Sequence, residues 1–349
     1  MNPLPLSRIA QWTNGRLHGA DGTGDDVLIE VLFTDTRGFD ASDGRAALFV
    51  ALAGERFDGN DHVAAAAEAG ARAALVSRPA DVRIPQVVVQ DTGHALAAIA
   101  AAMQHGRPAR IAAITGSNGK TTVKTLVLAI LQRAGHAYAN PGNYNNEIGL
   151  PLAVIDAPED ADFVIYEMGA GKPGDIAYLA AVAPPDVAVV NNIAAAHLER
   201  MGSLLGVART KGAIYAALGQ GGTAVVNADD AFGTGFEQDV IRAADSGRKV
   251  LRFGVDASAE IGACDIHADG AGSRFTLVDN NDSHNHNRSY RNETGIWIHE
   301  NSDAVVQNNR ISGVQKGLAL TQSYRCLVRF NCISDVRAQY VRESDRKFA

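Results

Sequence analysis

Ile111-Ala112-Ala113-Ile114-Thr115-Gly116-Ser117-Asn118-Gly119-Lys120-Thr121-Thr122 is the stretch on which the fold turns. Four apolar residues read as a buried strand, a glycine-punctuated loop follows, and 123–134 reads as a helix stopped by Gly135. Strand, loop, Lys-Thr and helix together make a phosphate cradle. Glycines let backbone N–H groups close around phosphate oxygens, and a helix N-terminus adds partial positive charge. Lys120 would neutralise the β- and γ-phosphates, and Thr121 would place its hydroxyl on Mg2+. Gly116, Ser117, Asn118, Gly119 and Thr122 complete the expected nucleotide-binding set. The spacing departs from G-x-x-x-x-G-K-[ST], because Ile114 rather than glycine stands five residues before Gly119. An ordinary strand-to-helix turn is the competing reading.

The rest of the chain bounds what such a loop could serve. Its 349 residues suffice for two or three domains with a real core. A net charge of −7 argues against an electrostatic nucleic-acid binder. Met1-Asn2-Pro3-Leu4-Pro5-Leu6 lacks the basic and apolar regions of a signal peptide, and no run approaches membrane-spanning length. Cys264, Cys326 and Cys332 lack metal-site spacing and read as reduced thiols. The expectation is a cytoplasmic protein without membrane insertion; the oligomeric state is left open.

Residues 1–108 form one compositional unit, with apolar runs at 27–33, 47–52, 71–76 and 87–89 as strands and Ala-rich helices at 62–69 and 94–104. Two of its loops, Thr34-Asp35-Thr36-Arg37 and the polar stretch 54–61, are rich in chemistry; Asp35 and Arg37 could equally be a surface ion pair, and Asp61 an N-cap. From 109 onward strand, loop and helix alternate, with near-continuous apolar strands at 163–166, 187–190, 224–226 and 250–253, as in a parallel sheet covered on both faces. Polar residues gather just past those strands, where ligands of open α/β sheets bind: Glu167, Asn191, Asn192, His197, Asn227, Asp229 and Asp230. Glu167 could hold Mg2+, and His197 could be a second ligand. Lys211, in a helical stretch at 205–218, would ordinarily be solvated. The loop Gly142-Asn143-Tyr144-Asn145-Asn146-Glu147-Ile148-Gly149 suggests ligand contact, or a turn whose Asn side chains bond their own backbone.

Thr115-Gly116-Ser117-Asn118-Gly119-Lys120-Thr121-Thr122, the 142–151 loop, Glu167-Met168-Gly169-Ala170 and Val226-Asn227-Ala228-Asp229-Asp230 together resemble the Mur ligase family, up to about residue 278. The N-terminal Thr34-Asp35-Thr36-Arg37 and Leu48-Phe49-Val50-Ala51-Leu52 are similar to the member that joins D-Ala-D-Ala to UDP-N-acetylmuramoyl-tripeptide (UDP-MurNAc-tripeptide). The resemblance implies an ATP-dependent peptide ligase of peptidoglycan synthesis. A carboxylate is phosphorylated to an acyl phosphate, which an amine then attacks. It implies catalytic roles for Lys120, Glu167, His197 and Lys211, with Thr121, Glu167, His197 and a carbamylated Lys211 about Mg2+. It assigns Asp35, Thr36, Arg37, Asn143, Asn145 and Asn146 to the nucleotide-sugar substrate. The implied architecture is α/β: a UDP-sugar-binding domain at 1–108, an incomplete P-loop parallel-sheet ATPase domain at 109–278, and a tail at 279–349.

Two local departures stand out: Ala194-Ala195-Ala196-His197 replaces Gly-Pro-Ala-His, and Ala213 replaces a glutamate after Lys-Gly. A larger one follows Leu277. The family's Gly-Arg-His-Asn and Asp-x-Tyr-Asn-Ala motifs do not occur, and the composition turns Asn-rich at Asp279. Gly295-Ile296-Trp297-Ile298 aligns with Gly317-Leu318-Ala319-Leu320, and Asn309-Arg310-Ile311-Ser312 with Asn331-Cys332-Ile333-Ser334. Both offsets are 22 residues (317 − 295 and 331 − 309). This period resembles a right-handed parallel β-helix; a disordered tail with a chance repeat is the alternative. His284, His286 and His299 read as surface residues. The expectation is a chimera with impaired ligase turnover. The rival readings are a non-catalytic nucleotide or UDP-sugar binder and a carbohydrate-active β-helix protein.

Overall fold

The computed structural model describes residues 1–19, 27–37, 39, 42, 44–54, 57–238, 247–255, 259–269, 272–279, 294–299, 305–307, 310–311, 316–321, 327–329, 332–333 and 338–342. Glu55, Arg56, His284, His286 and Cys326, weighed above, lie outside the described residues. Two compact units divide the chain, Met1–Ala224 with Val240–Arg248, and Val225–Asp239 with Lys249–Ala349. Among the described residues no helix is long and apolar enough to cross a membrane.

Besides a short antiparallel pairing of Leu4–Pro5 with Leu28–Ile29, two larger sheets position the site in the first unit. The N-terminal sheet runs in the order Arg16–His18, Gln86–Val88, Ala73–Val76, Ala47–Val50, Val31–Phe33, parallel except for the first pair. Ala47–Val50 and Ala73–Val76 are buried at every position, the signature of strands covered on both faces. The run at 27–33 is not one strand: Leu28–Ile29 and Val31–Phe33 part at Glu30, whose carboxylate accepts from the Ala46 N–H at 2.9 Å. In the second sheet Ala137–Ala139, Phe163–Glu167, Arg110–Thr115 and Val187–Val190 lie side by side, all parallel. The order places Arg110–Thr115 between Phe163–Glu167 and Val187–Val190, so the loops leaving all three strands meet at one end. Glu167, Asn191 and Asn192 stand at that common end.

A buried cation closes one helix end in this unit. The Arg107 side chain is 1% exposed and donates to the carbonyls of Val154 and Ile155, at the C-terminal end of helix Gly149–Asp156, and to Glu159 at 2.9 Å. A guanidinium at a helix C-terminus satisfies carbonyls that have no partner inside the helix. Nearby, the buried Tyr166 hydroxyl donates to Gln104 Oε1 at 2.7 Å.

In the second unit Lys249–Gly254 pairs parallel with Ile261–Asp269, which pairs antiparallel with Gly272–Asp279. Arg252 sits between Glu260 and Glu237 as a three-membered ion cluster. Farther on, Thr294–His299, Lys316–Thr321 and Ala338–Arg342 form a parallel ladder, Val305–Gln307 pairs with Leu327–Arg329, and Arg310–Ile311 with Cys332–Ile333. Partners such as Ile296↔Leu318 and Leu318↔Tyr340 are 22 residues apart (318 − 296 and 340 − 318), the period of the sequence repeat. These ladders are what the described residues carry. The turns that would close them into β-helical coils lie outside the described residues.

Candidate functional site

The helix after the phosphate loop is Lys120–Leu131, three residues earlier at both ends than the sequence pattern placed it. Lys120 is therefore the first helical residue, and Gly119 caps it at φ +75°, a backbone conformation favouring glycine. A Cβ on Gly119 would lie 2.7 Å from Asn191 Nδ2. No side chain caps this helix. The N–H groups of Gly119, Lys120, Thr121 and Thr122 have no hydrogen-bond partner among the described residues. Unpaired N–H groups at a helix start are what an anion would complete.

Two asparagines past the Val187–Val190 strand hold the loop open. Asn191 Nδ2 donates to the Asn118 carbonyl at 2.7 Å, and Asn192 accepts from the Ser117 and Asn118 N–H groups, both at 2.9 Å. The Ser117 hydroxyl donates to the Ala194 carbonyl at 3.0 Å and accepts from the Ala194 N–H at 2.9 Å. This double bond fixes the Ala194-Ala195-Ala196 segment, where the family pattern has Gly-Pro-Ala, directly to the phosphate loop. The segment delivers His197 at φ +53°, a left-handed conformation that histidine tolerates better than most residues.

Glu167 ends its strand 2% exposed. Its Oε2 accepts from the Thr121 hydroxyl at 3.0 Å and lies 3.2 Å from the Lys124 ammonium, while Oε1 accepts from Asn145 Nδ2 at 2.9 Å. The Asn140 carboxamide accepts from the Glu167 N–H at 2.8 Å and donates to the Glu167 carbonyl at 3.0 Å. Neither Asn140 nor Lys124 was singled out in the sequence. Lys124 follows Thr121 by three residues on a helix and so shares its face, which was the available signal.

One cavity of about 360 Å3 gathers most of the rest: Ser117, Lys120, Asn145, Asn146, His197 and Lys211 all line it. Lys211 is not the solvated lysine its helix suggested but 2% exposed. Burial, with the nearby Lys120 charge adding to it, pulls its amine down to about 8. With Ala213 where the family has a glutamate, the Lys211 ammonium finds no ion-pair partner among the described residues. Asn146 behaves as a turn asparagine, its Oδ1 accepting from the Ile148 and Gly149 N–H groups. Asn143 is exposed and is not among the cavity's lining residues. Nor are Asp35, Thr36 and Arg37; Asp35 and Arg37 form an exposed ion pair at 2.7 Å that holds the Asp35 carboxyl down to about 2.

Among the described residues no group of three or more His, Cys, Asp or Glu could hold a metal. The oxygens of Glu167 and Thr121 nonetheless fit Mg2+, which characteristically takes one or two protein oxygens and completes its shell with phosphates and water. Lys211 as an ammonium offers no lone pair and could join such a shell only after modification.

Residues 36–110 match the model of the Mur ligase family, catalytic domain, and residues 114–291 that of the Mur ligase middle domain. Residues 247–347 match a model described as periplasmic copper-binding protein (NosD). The chain is 41% identical over 278 residues to the UDP-N-acetylmuramoyl-tripeptide–D-alanyl-D-alanine ligase of Escherichia coli (strain K12), covering 79% of this chain and 58% of that protein. It superposes on MurF from Acinetobacter baumannii with a TM-score of 0.70 at 29% identity, over 80% of this chain and 61% of the other. MurF from Thermotoga maritima in complex with ADP gives a TM-score of 0.61 at 26% identity, over 72% and 58%. The chain thus spans about three fifths of the length of these relatives. With the middle-domain model covering just over half of its residues, the chain belongs to the Mur ligase family.

Proposed function

We propose that the chain carries the nucleotide and acyl-phosphate chemistry of a ligase that joins D-Ala-D-Ala to UDP-MurNAc-tripeptide, with ATP and Mg2+. The observation that carries this reading is the convergence of Lys120, His197, Lys211 and Asn145 on one cavity, at an uncapped helix N-terminus. The names of the relatives support the choice of substrates, and the ADP complex of the Thermotoga relative supports the nucleotide. Residues 1–108 would bind the UDP-sugar, with Asp35, Thr36 and Arg37 toward it, and 109–278 the phosphates.

In this reading the N–H groups of Gly119 to Thr122 and the Lys120 ammonium hold the β- and γ-phosphates. Asn143, Asn145 and Asn146 face the nucleotide-sugar substrate. A peptide carboxylate oxygen bonds to the γ-phosphorus as the bond to the β-phosphate oxygen breaks, leaving ADP. The D-Ala-D-Ala amine then bonds to the acyl carbon, inorganic phosphate departs and the amine loses its proton. Lys120 offsets part of the negative charge crowding in the cavity. Mg2+, held by Glu167 and Thr121, supplies further charge neutralisation. His197 and a carbamylated Lys211 complete the expected ligand set.

Mass spectrometry of a reaction with UDP-MurNAc-tripeptide, D-Ala-D-Ala, ATP and Mg2+ tests this. ADP and a pentapeptide product, both lost in Lys120→Ala, are expected. Nucleotide binding with neither product would refute the ligase and leave a nucleotide binder.

A further inference from the structure

Helix Lys120–Leu131 contains one buried residue among the described positions, and it is a lysine. The Lys124 side chain is 7% exposed, and that of Glu167 is 3% exposed. The ammonium donates to the Asn140 carbonyl at 2.8 Å and to the Gly142 carbonyl at 3.3 Å, and it lies 3.2 Å from Glu167 Oε2. Two of the ammonium's three donors bond backbone carbonyls, and the carboxylate lies at ion-pair distance. The two carbonyls stand at the start of the Asn-rich loop, and the carboxylate is the proposed cation ligand. Asn145, from the middle of that loop, reaches the other carboxylate oxygen. Filling this place with Leu or Met would avoid the desolvation of a charge, so the ammonium answers to its acceptors rather than to packing.

We propose that Lys124 is a positioning residue that joins the Glu167 carboxylate to the Asn140–Gly142 backbone, so that cation binding at Glu167 and substrate seating on the 142–149 loop are coupled through it. The inference rests on the functional reading above for the identity of the two ligands. It makes an asymmetric demand. The ammonium repels a divalent cation from Glu167 Oε2 and anchors the loop, so its removal tightens the cation and loosens the substrate. A residue that only fills space would weaken both together.

The test measures Mn2+ affinity in the presence of a non-hydrolysable ATP analogue by electron paramagnetic resonance, KM for the UDP-sugar peptide, and hydrogen exchange of the ligand-free protein. The Gly149 and Gly169 amides report on the loop, because they bond Asn146 Oδ1 and the Asn145 carbonyl. Lys124→Met is expected to tighten Mn2+ at least threefold, raise KM about tenfold, and speed exchange of those two amides at least tenfold. Lys124→Arg keeps the charge, but its planar fork cannot meet the same three oxygens. It should raise KM without tightening Mn2+, and it carries the comparison if Lys124→Met does not fold. Parallel weakening of Mn2+ and substrate, or no change in either, overturns the coupling. If the wild-type chain binds no Mn2+–nucleotide, the functional reading fails; unchanged exchange at Gly149 and Gly169 in Lys124→Met would then overturn the positioning role by itself.

Discussion

Asn140→Ala should cost far more than an asparagine in a loop ordinarily would. The Ala137–Ala139 strand pairs with Phe163–Glu167 only as far as Ala139↔Ile165, so Glu167 lies beyond its last rung. The Asn140 side chain substitutes for the missing strand: its carboxamide accepts from the Glu167 N–H, donates to the Glu167 carbonyl, and donates again to the Tyr144 carbonyl at 2.7 Å. Asn140 is 1% exposed, so water cannot replace these bonds in a truncated variant. Three bonds at about 1 kcal/mol each give about 3 kcal/mol before any penalty for backbone groups left buried and unpaired. At about 2–4 °C per kcal/mol for a unit of this size, the melting temperature should fall by about 6–12 °C. Calorimetry of wild type, Asn140→Ala and Asn143→Ala would measure it. The exposed Asn143, with no side-chain hydrogen bond among the described residues, is the control and should shift by less than about 0.5 kcal/mol. A loss under 1 kcal/mol for Asn140→Ala, or equal losses for the two asparagines, would refute the ladder argument.

Gly119→Ala places a Cβ at φ +75° and 2.7 Å from Asn191 Nδ2. It should cost about 1–2 kcal/mol and weaken nucleotide binding in a titration with ADP. Arg107→Met leaves two helix-end carbonyls and a carboxylate without their cation, for a loss of about 3 kcal/mol in urea unfolding. Arg107 hydrogen bonds also hold the Glu159 carboxyl below its ordinary range. That contribution is complete above the unfolded carboxylate value of about 4.3 and fades as pH falls through the lower folded value, a fade that Arg107→Met should abolish in acid titration of stability. The amine of Lys211, pulled down to about 8, is a better nucleophile near neutrality than a free lysine. A carbamate carbon signal is therefore expected in 13C-bicarbonate and should vanish in Lys211→Met.

The strand, glycine loop and helix around Lys120, the parallel sheet beyond them and the family were legible in the linear sequence, because each rests on local pattern. Contiguous apolar runs announce covered strands, and the glycine spacing before Lys120 announces a turn that only such residues can make. The 22-residue repeat was equally local, and parallel pairing at that register follows from it. Burial was not legible. Lys211 read as solvated and proved enclosed, and Lys124 attracted no notice although three oxygens from two other segments surround it. Asn140 looked like any asparagine after a strand until the neighbouring strand showed which backbone groups it completes. Sequence by itself determined that a glycine turn leads into a helix near Lys120, since backbone conformation and helix polarity are set within a dozen positions. Tertiary structure decided which charges lie buried against one another, because desolvation depends on elements that meet only after the chain has folded.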